Sequence, residues 1–245
     1  MTETIEATAG APQPGLLSRI IGVVVSPRET YKAVAERPRV LGVLVLTTLL
    51  TAVAQFGFLS SEVGRKASLD VIDQTVRTME ALGATVNDQT YAQMTAGVER
   101  APYTTSASIL IFSPISALVM AGVFLGVFNG LLGGNARFKQ VLAIVTHSGV
   151  VWTLAGLLTI GIGYVTGRAS GTTRLSVFFP MLEETGFLAH YLGYVDLLWL
   201  WAFVNSAIGL AVLYKRRTGP IAITLIALYL AFGILYAAVT SFVGG

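Results

Sequence analysis

Cysteine is absent from this 245-residue chain, which excludes disulfides, thiolate catalysis and Cys-ligated metal. Charge is scarce. Only 12% of residues are charged, against about a quarter in ordinary soluble domains. Histidine occurs twice, at His147 and His190, too few for a His-rich metal site. No HExxH, GxSxG or Walker A pattern is present. Gly161-Ile162-Gly163 lacks the rest of a dinucleotide fingerprint. Nothing in the chain pairs a nucleophile with a base, so no enzyme and no cofactor are expected. The first residues, Met1 to Glu6, carry acid rather than the basic region of a signal peptide. No internal repeat of the kind that marks many secondary transporters is visible.

What the chain has is hydrophobic length. Hydrophobic residues make up 54% of it, and the mean hydropathy is +0.72. Five apolar stretches, at about 40–60, 107–132, 140–165, 191–214 and 220–243, each exceed the roughly 18 residues that span a bilayer as helix. Backbone polar groups inside a membrane must be satisfied within the segment, so each stretch is committed to helix. The expected fold is an all-α, polytopic membrane bundle of five transmembrane helices over 16–245, after a disordered tail at 1–15.

Basic residues mark cytoplasmic loops. Arg19, Arg28, Lys32, Arg37, Arg39, Arg137, Lys139, Lys215, Arg216 and Arg217 fall on one side of this topology, ten of the 16 Lys and Arg. The N-terminus is therefore expected inside and the C-terminus outside.

Three segments lie between the spans. Residues 16–37 show two short helical patterns, with Ser26-Pro27-Arg28-Glu29 as a helix start in which Ser26 caps and Glu29 completes a capping box. These read as cytoplasmic amphipathic helices, an elbow before span one or a surface that inserts among headgroups. Residues 61–103 read as an external helical hairpin over the bundle. Its stripe of Leu69, Ile72, Val76, Met79 and Leu82 ends at Gly83, and a second helix runs from Asp88 towards Arg100. Residues 167–190 are polar, then apolar, and read as an interfacial segment.

Several residues stand out within the spans. Gly122, Gly126, Gly130 and Gly134 recur every four residues, a ridge that packs on another span or forms a homodimer face. Asn129, His147 and Asn205 form a candidate intramembrane polar cluster. By helical rise His147 lies about 12 Å from Lys139 and Asn205 about 15 Å from Lys215, so the two are expected to pair. Gln55 and Asp196 form an outer polar layer. Asp196 is either membrane-embedded or, if span four starts at Leu197, its N-cap beneath an aromatic belt of Tyr191, Tyr194, Trp199 and Trp201. Lys215, Arg216 and Arg217 are a topology signal that also suits anionic lipid. The expected partners are the lipid bilayer, anionic lipids included, and a second copy or other membrane proteins, with no nucleic acid.

Three motifs in order resemble the Yip family, the Ypt/Rab-interacting membrane proteins, in its bacterial form. They are Ser26-Pro27-Arg28-Glu29-Thr30-Tyr31 with Glu36-Arg37-Pro38; Leu132-Gly133-Gly134-Asn135-Ala136-Arg137-Phe138-Lys139-Gln140-Val141-Leu142-Ala143; and Asp196-Leu197-Leu198-Trp199 continuing through Ile208-Gly209-Leu210-Ala211. The resemblance covers about 20–243 and implies a five-span helical domain with a cytoplasmic N-terminus. Eukaryotic members are associated with vesicle trafficking, Rab GTPases and membrane shaping. The chain lacks their Asp-Leu-Tyr-Gly-Pro motif, and no Rab-binding residue carries over. Two functions follow: a non-enzymatic protein that scaffolds, organises or shapes the membrane, or a small-solute or ion transporter with a path near Asn129, His147 and Asn205. A transporter requires a polar cavity reaching the midplane, and a scaffold a packed interior.

Overall fold

A computed structural model describes residues 15–81, 83–166, 173–182 and 186–243. The tail at 1–15 lies almost wholly outside them. So do parts of the interfacial segment at 167–172 and 183–185. The regular structure of the described residues is all helical, apart from one isolated antiparallel bridge between Arg174 and Asp196.

α1 (Leu16–Val25) and α2 (Pro27–Glu36) form a short hairpin. Pro27 opens α2 as expected, but Ser26 makes no side-chain cap. Instead the Thr30 hydroxyl donates to the Ser26 carbonyl, and Glu29 accepts from Lys32 at 2.8 Å rather than closing a capping box. A side chain at Gly22 would collide with Thr30, so the two helices meet closely there.

α3 (Leu41–Leu59) leads into α4 (Glu62–Ala81) and α5 (Asp88–Ala96). Gly83 ends α4 with φ +83°, a conformation that costs a Cβ-bearing residue more. Asn87 caps α5, and the Tyr91 hydroxyl donates to Asp73 at 2.9 Å, tying the helices into the expected hairpin. Only its root is buried: Ala67 packs with Phe58 and Leu59, while Val71 and Met79 are exposed. The hairpin therefore stands on the end of α3 more than it lies over the bundle.

α6 (Ala101–Leu125) begins six residues before the apolar run does, because Pro102 suits a first helical turn. It ends in a π-helical turn, Gly126–Leu131. α7 (Phe138–Thr166) follows. A 3₁₀ turn at Leu175–Phe178 and α8 (Phe187–Tyr194) precede α9 (Leu197–Leu213) and α10 (Thr218–Val243).

Among the described residues four helices are long and apolar enough to cross a membrane: Leu41–Leu59, Ala101–Gly130, Phe138–Thr166 and Thr218–Phe242. The stretch expected at 191–214 is broken at Asp196, whose carboxylate accepts from the Leu198 and Trp199 amides and starts α9 there. That leaves 17 residues in α9. Asp196 is thus an N-cap, and Tyr191 and Tyr194 belong to α8.

α7 is the centre. α3 and α6 pack on one side of it and α9 on the other, with α10 against α9. α1 and α2 seat against its first half. The main core lies at that end and includes Val23, Tyr31, Val34, Val43, Ile144, Val151 and Leu210.

Candidate functional site at the basic face

The ends of α1 and α2, the α6–α7 turn and the α9–α10 turn meet at one face, where basic residues are numerous. The last carbonyls of any helix lack intrahelical partners. Here amide and guanidinium side chains from elsewhere in the chain supply them. Asn205 of α9 donates to the Val23 carbonyl at 2.9 Å, near the end of α1. Gln140 of α7 donates to the Ala35 carbonyl at 3.0 Å, near the end of α2, while its own oxygen accepts from the Arg137 amide and caps α7. Asn129 donates to the Ala136 carbonyl at 2.8 Å. Arg216 donates to the Leu132 carbonyl at 2.6 Å.

Tyr31 is the centre of this clamp and is fully buried. Its hydroxyl donates to the Asn205 side-chain oxygen at 2.5 Å and lies 2.9 Å from the Ser148 hydroxyl. Burial pushes the phenol above its ordinary range, partly offset by Ser148, so it stays a neutral donor. The ring occupies space left by Gly209: a Cβ there would stand 3.1 Å from the ring and 2.7 Å from Ile144.

The two turns interlock in the same way. A Cβ on Gly134 would stand 2.7 Å from the Tyr214 ring, which stacks on Phe128 with centroids 4.6 Å apart. Gly133 (φ +68°) and Lys215 (φ 53°) make the reversals. All three residues of the Lys215-Arg216-Arg217 run are exposed.

The residues singled out from the sequence are brought together only in part. His147 is fully buried, but its Nδ1 is 2.7 Å from the Ala143 carbonyl of its own helix, and Nε2 has no protein partner. The expected His147–Asn205 pair is not formed, because the α1–α2 hairpin reaches Asn205 first. Asn129 serves the α6–α7 turn instead of a shared cluster. Gly122, Gly126 and Gly130 have open space where a Cβ would stand, so the ridge packs on no other helix of this chain; Gly134 alone is in a tight approach.

Tyr31 and Ser148 were missed as polar partners. Tyr31 reads as part of an apolar face with Val34 and Ala35, and nothing local reveals a hydroxyl partner 117 residues away.

At the opposite end, Gln55 and Asp196 border one large cleft of about 1530 Å³ between α6 and α10, floored by α7. Asp196 also accepts from the Thr173 hydroxyl at 2.5 Å. The Tyr229 hydroxyl donates to the Tyr194 carbonyl at 2.7 Å and accepts from the Asp196 amide at 3.0 Å. Tyr194, Trp199, Tyr229 and Tyr236 form a continuous aromatic group there.

The Yip1 domain family profile matches residues 21–240. Membrane protein YknW of Bacillus subtilis (strain 168) is 23% identical over 210 residues, covering 82% of this chain and 79% of its own length. No solved structure gives a significant match. Residues 21–240 take in the second half of α1, all of α2, both basic-face turns and the start of α9, and the chain belongs to the Yip1 domain family.

Proposed function

We propose that this membrane protein is non-enzymatic, crosses a bacterial inner membrane five times with its N-terminus inside and its C-terminus outside, and shapes the bilayer around it. α9 supplies the fifth crossing: its 17 residues rise about 25 Å, and Asp196 and Tyr214 at its ends reach into the interfaces of a core about 30 Å thick. Lys215, Arg216 and Arg217 then face the anionic inner leaflet.

The observation that carries the reading is the α1–α2 hairpin. One side is held in the bundle by Tyr31, Val23 and Val34, all fully buried. The other side of α1 exposes Leu17, Ile21 and Val25 at 70%, 61% and 76%. Arg28 and Lys32 follow on α2. A helix of this kind inserts its apolar face between the headgroups of one leaflet. Clamping it to a membrane bundle fixes where that leaflet is expanded. The test is reconstitution into vesicles of the parent and of a Leu17→Gln, Ile21→Gln, Val25→Gln variant, which alters exposed positions only. The parent reduces vesicle diameter and the variant does not. Equal diameters with both proteins folded overturn the reading. Reporter fusions after Arg217 and after Gly245 test the topology, with the first reporting inside and the second outside.

Small-solute or ion transport is the second reading, favoured by the cleft. Against it, the cleft is bordered by Thr146, Ser148 and Ser206 and not by Asn129, His147 or Asn205. Flux in proteoliposomes of the parent that vanishes in a well-folded His147→Gln protein would establish transport, because Gln cannot titrate near neutral pH.

A further inference from the structure

The cleft adjoins the clamp only at Ile144, Ser148 and Leu210, and its composition changes along its length. α6 packs on α7 and α10 on α9, but α6 and α10 do not pack on each other, which opens the cleft sideways towards lipid. At the end nearest the basic face it is bordered by Leu44, Met120, Phe124 and Leu225. At the other end it is bordered by Gln55, Thr105, Thr173, Arg174 and Asp196. On α7 the lining runs from Ile144 to Ile160, about 24 Å by helical rise. That is close to one leaflet of a bilayer, about 20–22 Å with its headgroups. The volume of about 1530 Å³ exceeds the roughly 300–1,000 Å³ of drug-sized pockets.

The hydroxyls on the walls do not make this a wet path. Thr47, Thr51, Ser116, Thr146, Thr159 and Ser206 each donate to a carbonyl three or four residues back on their own helix. Such groups are satisfied without water and tolerate an acyl chain beside them. Gly149 and Gly156 keep the floor low, since a Cβ on either meets nothing within 4 Å.

Charge at the polar end is of both signs, with Asp196 across the backbone bridge from Arg174. Asp196 is occupied by Thr173 and by two backbone amides. Among the described residues no carboxylate lies within ion-pair distance of Arg174, which is exposed at the cleft. Its guanidinium is therefore open to an anionic group docking beside it.

We infer that the cleft binds one membrane amphiphile, its acyl chains along α7 between α6 and α10 and its anionic headgroup at Arg174. The inference needs the helices to lie in a bilayer but not the hairpin to bend one, so its failure and that of the membrane-shaping reading are separable. The test is native mass spectrometry of the whole chain after exchange in detergent with an equimolar mixture of phosphatidylglycerol and phosphatidylcholine of identical acyl chains. The parent retains one phospholipid, with phosphatidylglycerol preferred by about fivefold, the effect of one basic side chain at a membrane surface. Arg174→Gln retains lipid without the preference. Gly156→Leu fills the floor, its Cβ entering open space, and retains neither lipid. Gly122→Leu, on α6 but outside the cleft, binds as the parent does. Equal retention of the two lipids by the parent, retention unchanged in Gly156→Leu, or a preference that survives Arg174→Gln each overturns the inference. So does a lipid-free dimer, which would place a second copy in the cleft.

Discussion

α6 and α7 are both long, apolar helices able to cross a membrane, yet half of α7's central window is buried inside the protein against 11% for α6. α7 packs against α1, α2, α3, α6 and α9 and carries His147, Ser148 and Ile144 in the core. α6 leans on α3 and α7 and leaves its glycines open. Hydropathy reports that a helix can leave water; it does not report whether lipid or protein replaces the water. In a bilayer the two replacements are nearly equally apolar, so helix association rests on shape and on polar bonds.

The largest effect is expected where α7 meets α9 and the hairpin. Gly209→Leu would force a side chain against Ile144 and the Tyr31 ring, both fully buried. A loss of about 3 kcal/mol is expected, at the upper end for overpacking, along with faster proteolysis at Arg28 as the hairpin is expelled. An unchanged melting temperature in detergent would show that the hairpin is not seated on α9.

Asn205→Ala comes next. It leaves the Val23 carbonyl unpaired and takes one partner from Tyr31, for a loss of about 1–3 kcal/mol. A double-mutant cycle with Tyr31→Phe should give a coupling of about 1 kcal/mol; additivity would mean the bond contributes nothing. Tyr31 also predicts a pH response. Its phenol is raised in the fold, so its contribution is full below the ordinary value of about 10 and is lost as pH rises from there towards the folded value. The parent should lose stability above that pH more steeply than Tyr31→Phe, as followed by alkaline unfolding.

His147→Leu should be milder than its burial suggests. The imidazole bonds only within its own helix, so no side chain elsewhere is orphaned. A cost below about 1 kcal/mol is expected, in line with measured bonds in membrane helices. A loss near that of Asn205→Ala would reveal an interhelical partner on Nε2, such as a buried water.

The smallest effect belongs to α6. Gly126→Leu with Gly130→Leu enters open space and should change chain stability by no more than about 0.5 kcal/mol. Detergent sizing then separates two surfaces: an oligomer that falls apart identifies a homodimer ridge, and unchanged size a lipid-facing one. A large drop in stability would contradict the contrast between α6 and α7.

Much of the architecture follows from local pattern. The long helices, the α1–α2 and α4–α5 hairpins and the stop at Gly83 follow from periodicity, proline, glycine and apolar run length, which act over a few residues. Asp196 could be read either way, because a carboxylate at the head of an apolar run serves equally as a cap or as an embedded acid. The open amides of a real helix start decide for the cap.

Chemistry and order, then, were set by the chain alone: helix everywhere, no thiol, few charges, basic residues gathered at the turns. Tertiary structure decided partnership. Depth placed His147 and Asn205 at similar levels, but whether two groups at one level meet depends on helix rotation and on what else enters the bundle. Here Tyr31 entered, through the space Gly209 leaves, and took Asn205 for itself. The cleft is likewise absent from any local pattern, since it exists only because α6, on α7, and α10, on α9, do not close over Gly149 and Gly156.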